Sequence, residues 1–267
     1  MNTAALTDAR RILYVDAIRA NIDAGTWERL EPAQRIDDFD HVFLWSLSTR
    51  DDILLPGRML PSRDAKGRDK YPLVLCAELR SPDAAAAVPT ALRRLDTLGE
   101  ECAGLTARED FIAALDGARA NAASILFLGD QAPPVGELVA SFMNVGPAGA
   151  EGLARCLYAL QRELMQGGER HTAGTGHVRL PAAGLGDAQT LCAWLALIRK
   201  WLPELRGVLL IKPKGRDWVD ALVPIPLPTQ LACIRTDTSL VPLACDVPYN
   251  LDPQMIQKAR SLAASLM

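Results

Sequence analysis

The sequence predicts an α+β fold in which a mostly antiparallel sheet is flanked by helices. Two observations carry this. Short apolar runs of strand length fall in neighbouring groups joined by brief polar turns, which favours antiparallel pairing. Longer stretches with apolar residues at three- and four-residue steps flank these groups, as amphipathic helices do. At 267 residues the chain can form one large domain or two smaller ones, each able to bury a core.

Thr7 and Asp8 mark the first expected helix start, Ile12, Val15, Ile18 and Ile22 its apolar stripe, and Gly25 its stop. Residues 41–47, with Val42, Phe43, Leu44 and Trp45, are too short and too β-prone for a helix and read as a strand. Residues 53–60 and 70–79 read as two more strands. Between them Asp64-Ala65-Lys66-Gly67 has turn composition, so the region is expected to be a long β-hairpin. Ser81-Pro82-Asp83 opens a helix running to about Leu98, which Pro89 is expected to kink or restart. Thr106-Ala107-Arg108-Glu109 has the capping-box pattern and opens another helix to about Ala120. Ile125 to Leu128 reads as a short buried strand. Residues 148–166 read as a helix with Leu153, Cys156, Leu157, Leu160 and Leu164 on one face.

Gly167 to Gly176 is the expected linker between an N-terminal unit, residues 1–166, and a C-terminal unit, residues 177–267. Asp187 caps a helix to about Leu202 that Pro203 stops, with Trp194 and Trp201 packing from one face. Strands are expected at about 206–212, 218–225, 231–236 and 241–247, and Asp252-Pro253 starts the last helix. Both halves share the order helix, neighbouring strands, helix, without an alignable repeat. Two similar lobes and one compact domain both fit.

A net charge of -3, with no long basic face, gives no push toward nucleic acid. The six cysteines (Cys76, Cys102, Cys156, Cys192, Cys233, Cys245) include no Cys-x-x-Cys pair and read as small buried hydrophobes of a reducing compartment. No signal-peptide pattern and no bilayer-length apolar run is present, so a cytoplasmic protein is expected.

Polar chemistry concentrates in residues 57–73, where Arg58, Arg63, Lys66, Arg68 and Lys70 stand with Asp64 and Asp69. One reading is an exposed recognition tip for an acidic surface or a phosphate group. The other is a solvated turn in which Asp64 bonds the backbone and Arg68 pairs with a carboxylate. Ser62, Asp64 and Arg68, with His41 as a candidate base, would suit a small hydrolase or phosphoester-handling enzyme, but no nucleophile elbow accompanies them. His171 and His177 have a metal-compatible spacing but no third ligand nearby, and read as loop residues. Gly174-Thr175-Gly176 lacks the lysine and hydroxyl residue of a phosphate loop. Pro213-Lys214-Gly215-Arg216-Asp217-Trp218 is a second basic turn, of functional interest if it converges with the first.

The run Gly57-Arg58-Met59-Leu60-Pro61-Ser62-Arg63-Asp64, then Gly67-Arg68, then Tyr71-Pro72-Leu73, resembles the core motif of TagF-type (ImpM) accessory proteins of bacterial type VI secretion. Pro61, Ser62, Asp64, Gly67, Arg68, Tyr71, Pro72 and Leu73 match it, and Trp45 fits the aromatic upstream. The match covers about 30 residues. The resemblance implies a non-enzymatic post-translational regulator, without cofactor, that engages a forkhead-associated scaffold protein, in the same pathway as a kinase and phosphatase pair. It carries over Ser62, Asp64, Gly67 and Arg68, with Asp64 and Gly67 shaping the turn and Ser62 and Arg68 offering polar contacts. A structural subunit without a separate site is the remaining alternative.

Overall fold

Apolar strands that are buried on both faces set the centre of this fold. The computed structural model describes residues 3–36, 38–47, 53–62, 70–80, 84–103, 105, 107–120, 134–165, 176–205, 207–223 and 231–267. Within these, seven strands form one antiparallel sheet: β1 (His41–Ser46), β2 (Ile53–Leu60), β3 (Leu73–Cys76), β4 (Leu79–Arg80), β5 (Gly176–Pro181), β6 (Val208–Pro213) and β7 (Trp218–Val223). Their order is β3-β2-β1-β6-β7-β5, with β4 also on β2. Strands from both sides of the expected linker share this sheet. Leu44 of β1 lies opposite Pro56 on one side and Leu210 on the other.

The period-two alternation of strand side chains divides the core in two. Val42, Leu44, Leu54, Leu180, Leu210 and Ala221 point to one face. There they meet α2 (Ala84–Ala103), α4 (Val135–Met143), α5 (Pro147–Met165), α6 (Asp187–Trp201) and α7 (Pro253–Ala264). Phe43, Trp45, Leu55, Met59, Leu209 and Ile211 point to the other face, against Trp27, Phe39, Ile234 and the N-terminal helix α1, residues 4–23. The remaining helix, α3 (Arg108–Ala120), buries no residue fully.

Helix α1 starts three residues before the expected Thr7. Thr3 caps it, its hydroxyl accepting from the Leu6 amide at 3.2 Å. Arg10–Arg19 winds as a π-helix, so the buried row steps by about four to five residues. Ala5, Ala9, Leu13, Ala17, Ile18 and Ile22 are buried, while Val15 of the expected stripe is 41% exposed. Gly25 ends the segment with φ +65, as expected of a stop.

Pro89 sits inside an unbroken helix that reaches Ala103, beyond the expected Leu98. The expected strand at 231–236 is a 3-10 turn, Ala232–Arg235, and 241–247 forms turns instead of a strand. These segments are apolar because they cover the sheet, not because they join it: Leu231, Cys233, Ile234 and Ala244 are buried without a ladder. Helix α4 and strand β5 were not expected from the pattern. The expected strand Ile125 to Leu128, the capping residues Ser81 to Asp83 and Thr106, and 166–175 of the linker lie outside the described residues. Asp252 caps α7 as expected, accepting from the Gln254 amide at 2.8 Å.

Trp194 is fully buried and donates to the Pro181 carbonyl at 2.8 Å, and Trp201 donates to the Leu157 carbonyl at 3.1 Å. Both are packing residues. Among the described residues no helix is long and apolar enough to cross a membrane.

Candidate functional site

Strands β2 and β3 form the expected hairpin, with Leu60 opposite Leu73. The chain between them is therefore the hairpin connection, and its two ends are tied. The Ser62 hydroxyl donates to the Tyr71 carbonyl at 2.6 Å. The Tyr71 phenol donates to Asp23 Oδ1 at 2.6 Å, and the Lys70 ammonium stands 3.9 Å from the same carboxylate. The shared hydrogen bond holds the Asp23 carboxyl below its ordinary value and the Tyr71 phenol above its own. The hairpin is thereby anchored to the end of α1. Arg63, Asp64, Gly67 and Arg68 lie outside the described residues.

Arg58 corrects the expectation of an exposed cluster. It is 3% exposed, facing the helical layer from the middle of the sheet. Its Nε donates to Asp96 Oδ1 at 2.5 Å, its Nη1 to the carbonyls of His41 and Met59 at 2.7 Å each, and its Nη2 to Asp40. A guanidinium suits this position because its planar fork can serve two carboxylates and two carbonyls at once. Arg58 holds the root of the hairpin to β1 and α2.

The second basic turn converges on the same carboxylates. Lys214 reaches Asp96 Oδ1 at 3.2 Å, and its amide donates to the Asp40 carbonyl at 2.8 Å. Lys212 and Arg58 both lie beside Val42, one on each neighbouring strand. Lys212 is 3% exposed and donates to Asp187 Oδ1 at 2.6 Å and to the Arg216 carbonyl at 2.8 Å. Arg58, Lys214, Asp40 and Asp96 therefore form one network at the roots of both turns, with Lys212 and Asp187 as a separate ion pair on the neighbouring strand. Asp187 reaches Lys212 from the first turn of α6, and Gly186 takes the capping position expected for Asp187.

Ser62 and His41 share no hydrogen bond. The Ser62 proton is committed to the Tyr71 carbonyl, while His41 is fully buried with Nε2 on the Ile234 carbonyl at 2.7 Å. Burial lowers the His41 pKa to about 4, which leaves a neutral ring. Trp45 is buried in the core that packs against α1.

A cavity of about 1180 Å³ opens alongside β3, an edge strand among those described, between α1, α2 and α3. Leu6, Leu13, Leu75, Leu95, Leu98 and Leu115 line it, with Glu78, Glu101 and Arg119 among its polar groups.

His177 stands in β5 and not in a loop, and it belongs to a polar cluster that sequence reading missed. His177 Nε2 lies 2.8 Å from Asp220 Oδ1, and Arg179 donates to both Asp220 oxygens. Cys233 is the neighbour of this pair. Burial opposes the charged form of His177, but the Cys233 sulfur and the Asp220 carboxylate outweigh it and raise its pKa. Burial raises the Cys233 thiol. The signal in the sequence was the placing of Arg179 and Asp220 within otherwise apolar strands.

No family model matches the chain, and comparison with curated proteins and with solved structures likewise finds no match.

Proposed function

We propose that this chain is a non-enzymatic accessory protein of type VI secretion, acting in the bacterial cytoplasm through protein contacts as a post-translational repressor of the TagF kind. The observation that carries the reading is the ordered run Pro61-Ser62, Asp64, Gly67-Arg68, Tyr71-Pro72-Leu73, which falls on the connection of one hairpin. Motif residues divide by role. Arg58, Ser62 and Tyr71 spend their hydrogen bonds on the frame of the hairpin. To Arg63 and Arg68 the proposal assigns contact with the partner, a forkhead-associated scaffold protein, with Asp64 and Gly67 shaping the turn. The leucine-lined cavity beside β3 supports the reading, since it offers apolar area next to the hairpin.

The test is capture of that scaffold from bacterial cytoplasm by tagged wild type and by Arg68→Ala, read by mass spectrometry. Enrichment by wild type, lost in the variant, is the expected result. Equal capture by both moves the partner surface away from the hairpin, and failure of wild type to enrich any secretion-system scaffold overturns the proposal.

A further inference from the structure

The cluster on the α1 side of the sheet carries more chemistry than an ion pair requires. His177 comes from β5, Asp220 from β7 and Cys233 from the 3-10 turn that covers them. One nitrogen of His177, one oxygen of Asp220 and the sulfur of Cys233 all lie within 4.8 Å of one another. A tetrahedral ion with metal–ligand bonds of about 2.0–2.3 Å places its ligand atoms roughly 3.3–3.7 Å apart, so small side-chain rotations complete the geometry. We propose that His177, Asp220 and Cys233 bind a divalent cation of the zinc type.

The donor set selects the metal. One imidazole, one thiolate and one carboxylate oxygen suit zinc and its neighbours, whereas magnesium and calcium call for oxygen ligands alone. Two of the ligands, Asp220 and Cys233, are held from behind. Arg179 fixes the Asp220 carboxylate by donating Nε to Oδ1 at 2.8 Å and Nη2 to Oδ2 at 3.1 Å. Its Nη2 also donates to the Cys233 carbonyl at 3.0 Å, and the Thr236 hydroxyl donates to that carbonyl at 2.8 Å. Such outer contacts orient ligands and tune the metal. The ion takes the lone pair of Oδ1 that His177 now occupies.

Charge balances across the binding step. The cation enters and two protons leave to solvent, one from the Cys233 sulfur and one from Nε2 of His177. The positive charge of Arg179 is then faced by both Asp220 and a thiolate. Asp220 is wholly buried and Cys233 nearly so, while the His177 side chain is 19% exposed, so the ion reaches the site from the histidine side. Three protein ligands leave a fourth position for solvent, the arrangement of an open site.

Cobalt substitution tests this on the purified full chain after chelator treatment. Equimolar Co²⁺ is expected to give a thiolate-to-cobalt charge-transfer band and visible ligand-field bands, which Zn²⁺ then bleaches. His177→Ala and Cys233→Ser should each weaken Co²⁺ affinity by more than about tenfold, while Cys245→Ser leaves it unchanged. Circular dichroism confirms that each variant is folded. Absence of the charge-transfer band in folded wild type overturns the site, and so does a band of unchanged affinity in Cys233→Ser.

Discussion

Arg179 and Asp220 stand directly opposite each other on β5 and β7, and the guanidinium spans both carboxylate oxygens from within the sheet. Both side chains are wholly buried. Burial opposes the ionised carboxylate, but Arg179 and His177 outweigh it and hold the Asp220 carboxyl below its ordinary value. Arg179 also donates to the carbonyls of Val241 and Cys233, so the pair fastens the segment after β7 to the sheet. Its guanidinium carbon lies over the Trp218 ring, 4.9 Å from the centroid.

Asp220→Asn should therefore cost about 3–5 kcal/mol, because it leaves a buried guanidinium without its counter-charge. Arg179→Met should cost a similar amount. The double variant should lose less than the sum of the two, since neither charge then remains unpaired. Urea unfolding of the four proteins measures the coupling, and strict additivity would show that the pair contributes nothing as a pair.

Two arginines of the hairpin, Arg58 and Arg68, should separate cleanly. Arg58→Ala removes a buried group that serves two carboxylates and two carbonyls, and a loss of about 3 kcal/mol is expected. Asp40 and Asp96 keep access to water, which limits the damage. Under the proposed partner role, Arg68→Ala should change stability by no more than about 0.5 kcal/mol while abolishing scaffold capture. Thermal melts with matched capture assays decide it. A large stability loss in Arg68→Ala would make the motif structural throughout.

Sequence reading found what repeats locally. Val42 to Trp45 and the hairpin strands announce themselves as short β-prone runs, and Asp252-Pro253 as a helix start. It failed where tertiary contact decides. Leu231 to Thr236 is as apolar as a strand, yet it turns, because it caps the sheet and gives its carbonyls to Arg179 and His41. Val15 dropped out of the α1 stripe because π-winding changes the period. Arg58 read as surface because its partners Asp40 and Asp96 are 18 and 38 residues away. The Asp220–His177 pair spans 43 residues, so a charge within an apolar strand marks burial but does not name the partner.

His41 should give the protein an acid-sensitive limb. Its folded pKa of about 4 lies below the ordinary histidine value of 6.5, with burial as the cause. Below pH 6.5 the unfolded chain takes up a proton that the folded chain refuses until about pH 4. The His41 contribution is thus full above pH 6.5, falls between 6.5 and 4, and is lost below. At about 1.4 kcal/mol per pKa unit, the loss is on the order of 3 kcal/mol. His41→Gln should narrow its stability gap to wild type by that amount between pH 7 and pH 4. Parallel stability curves for the two proteins would contradict this account.

Gly57 should tolerate no side chain. It lies in the middle of β2, directly opposite Phe43 on β1, and a Cβ there would overlap the Phe43 ring. That ring is itself fully buried against the α1 side of the core, so it cannot swing aside. Glycine in a strand usually weakens it, and here the aromatic ring covers the gap it leaves. Gly57→Ala should destabilise the protein by about 1–3 kcal/mol through overpacking. Phe43→Leu alone should also destabilise, by leaving space above the glycine. Combined, the two should be less damaging than their sum, because the smaller residue makes room for the new methyl group. Chemical denaturation of the single and double variants reads the coupling directly, and an additive result would mean that the ring does not set the choice of glycine.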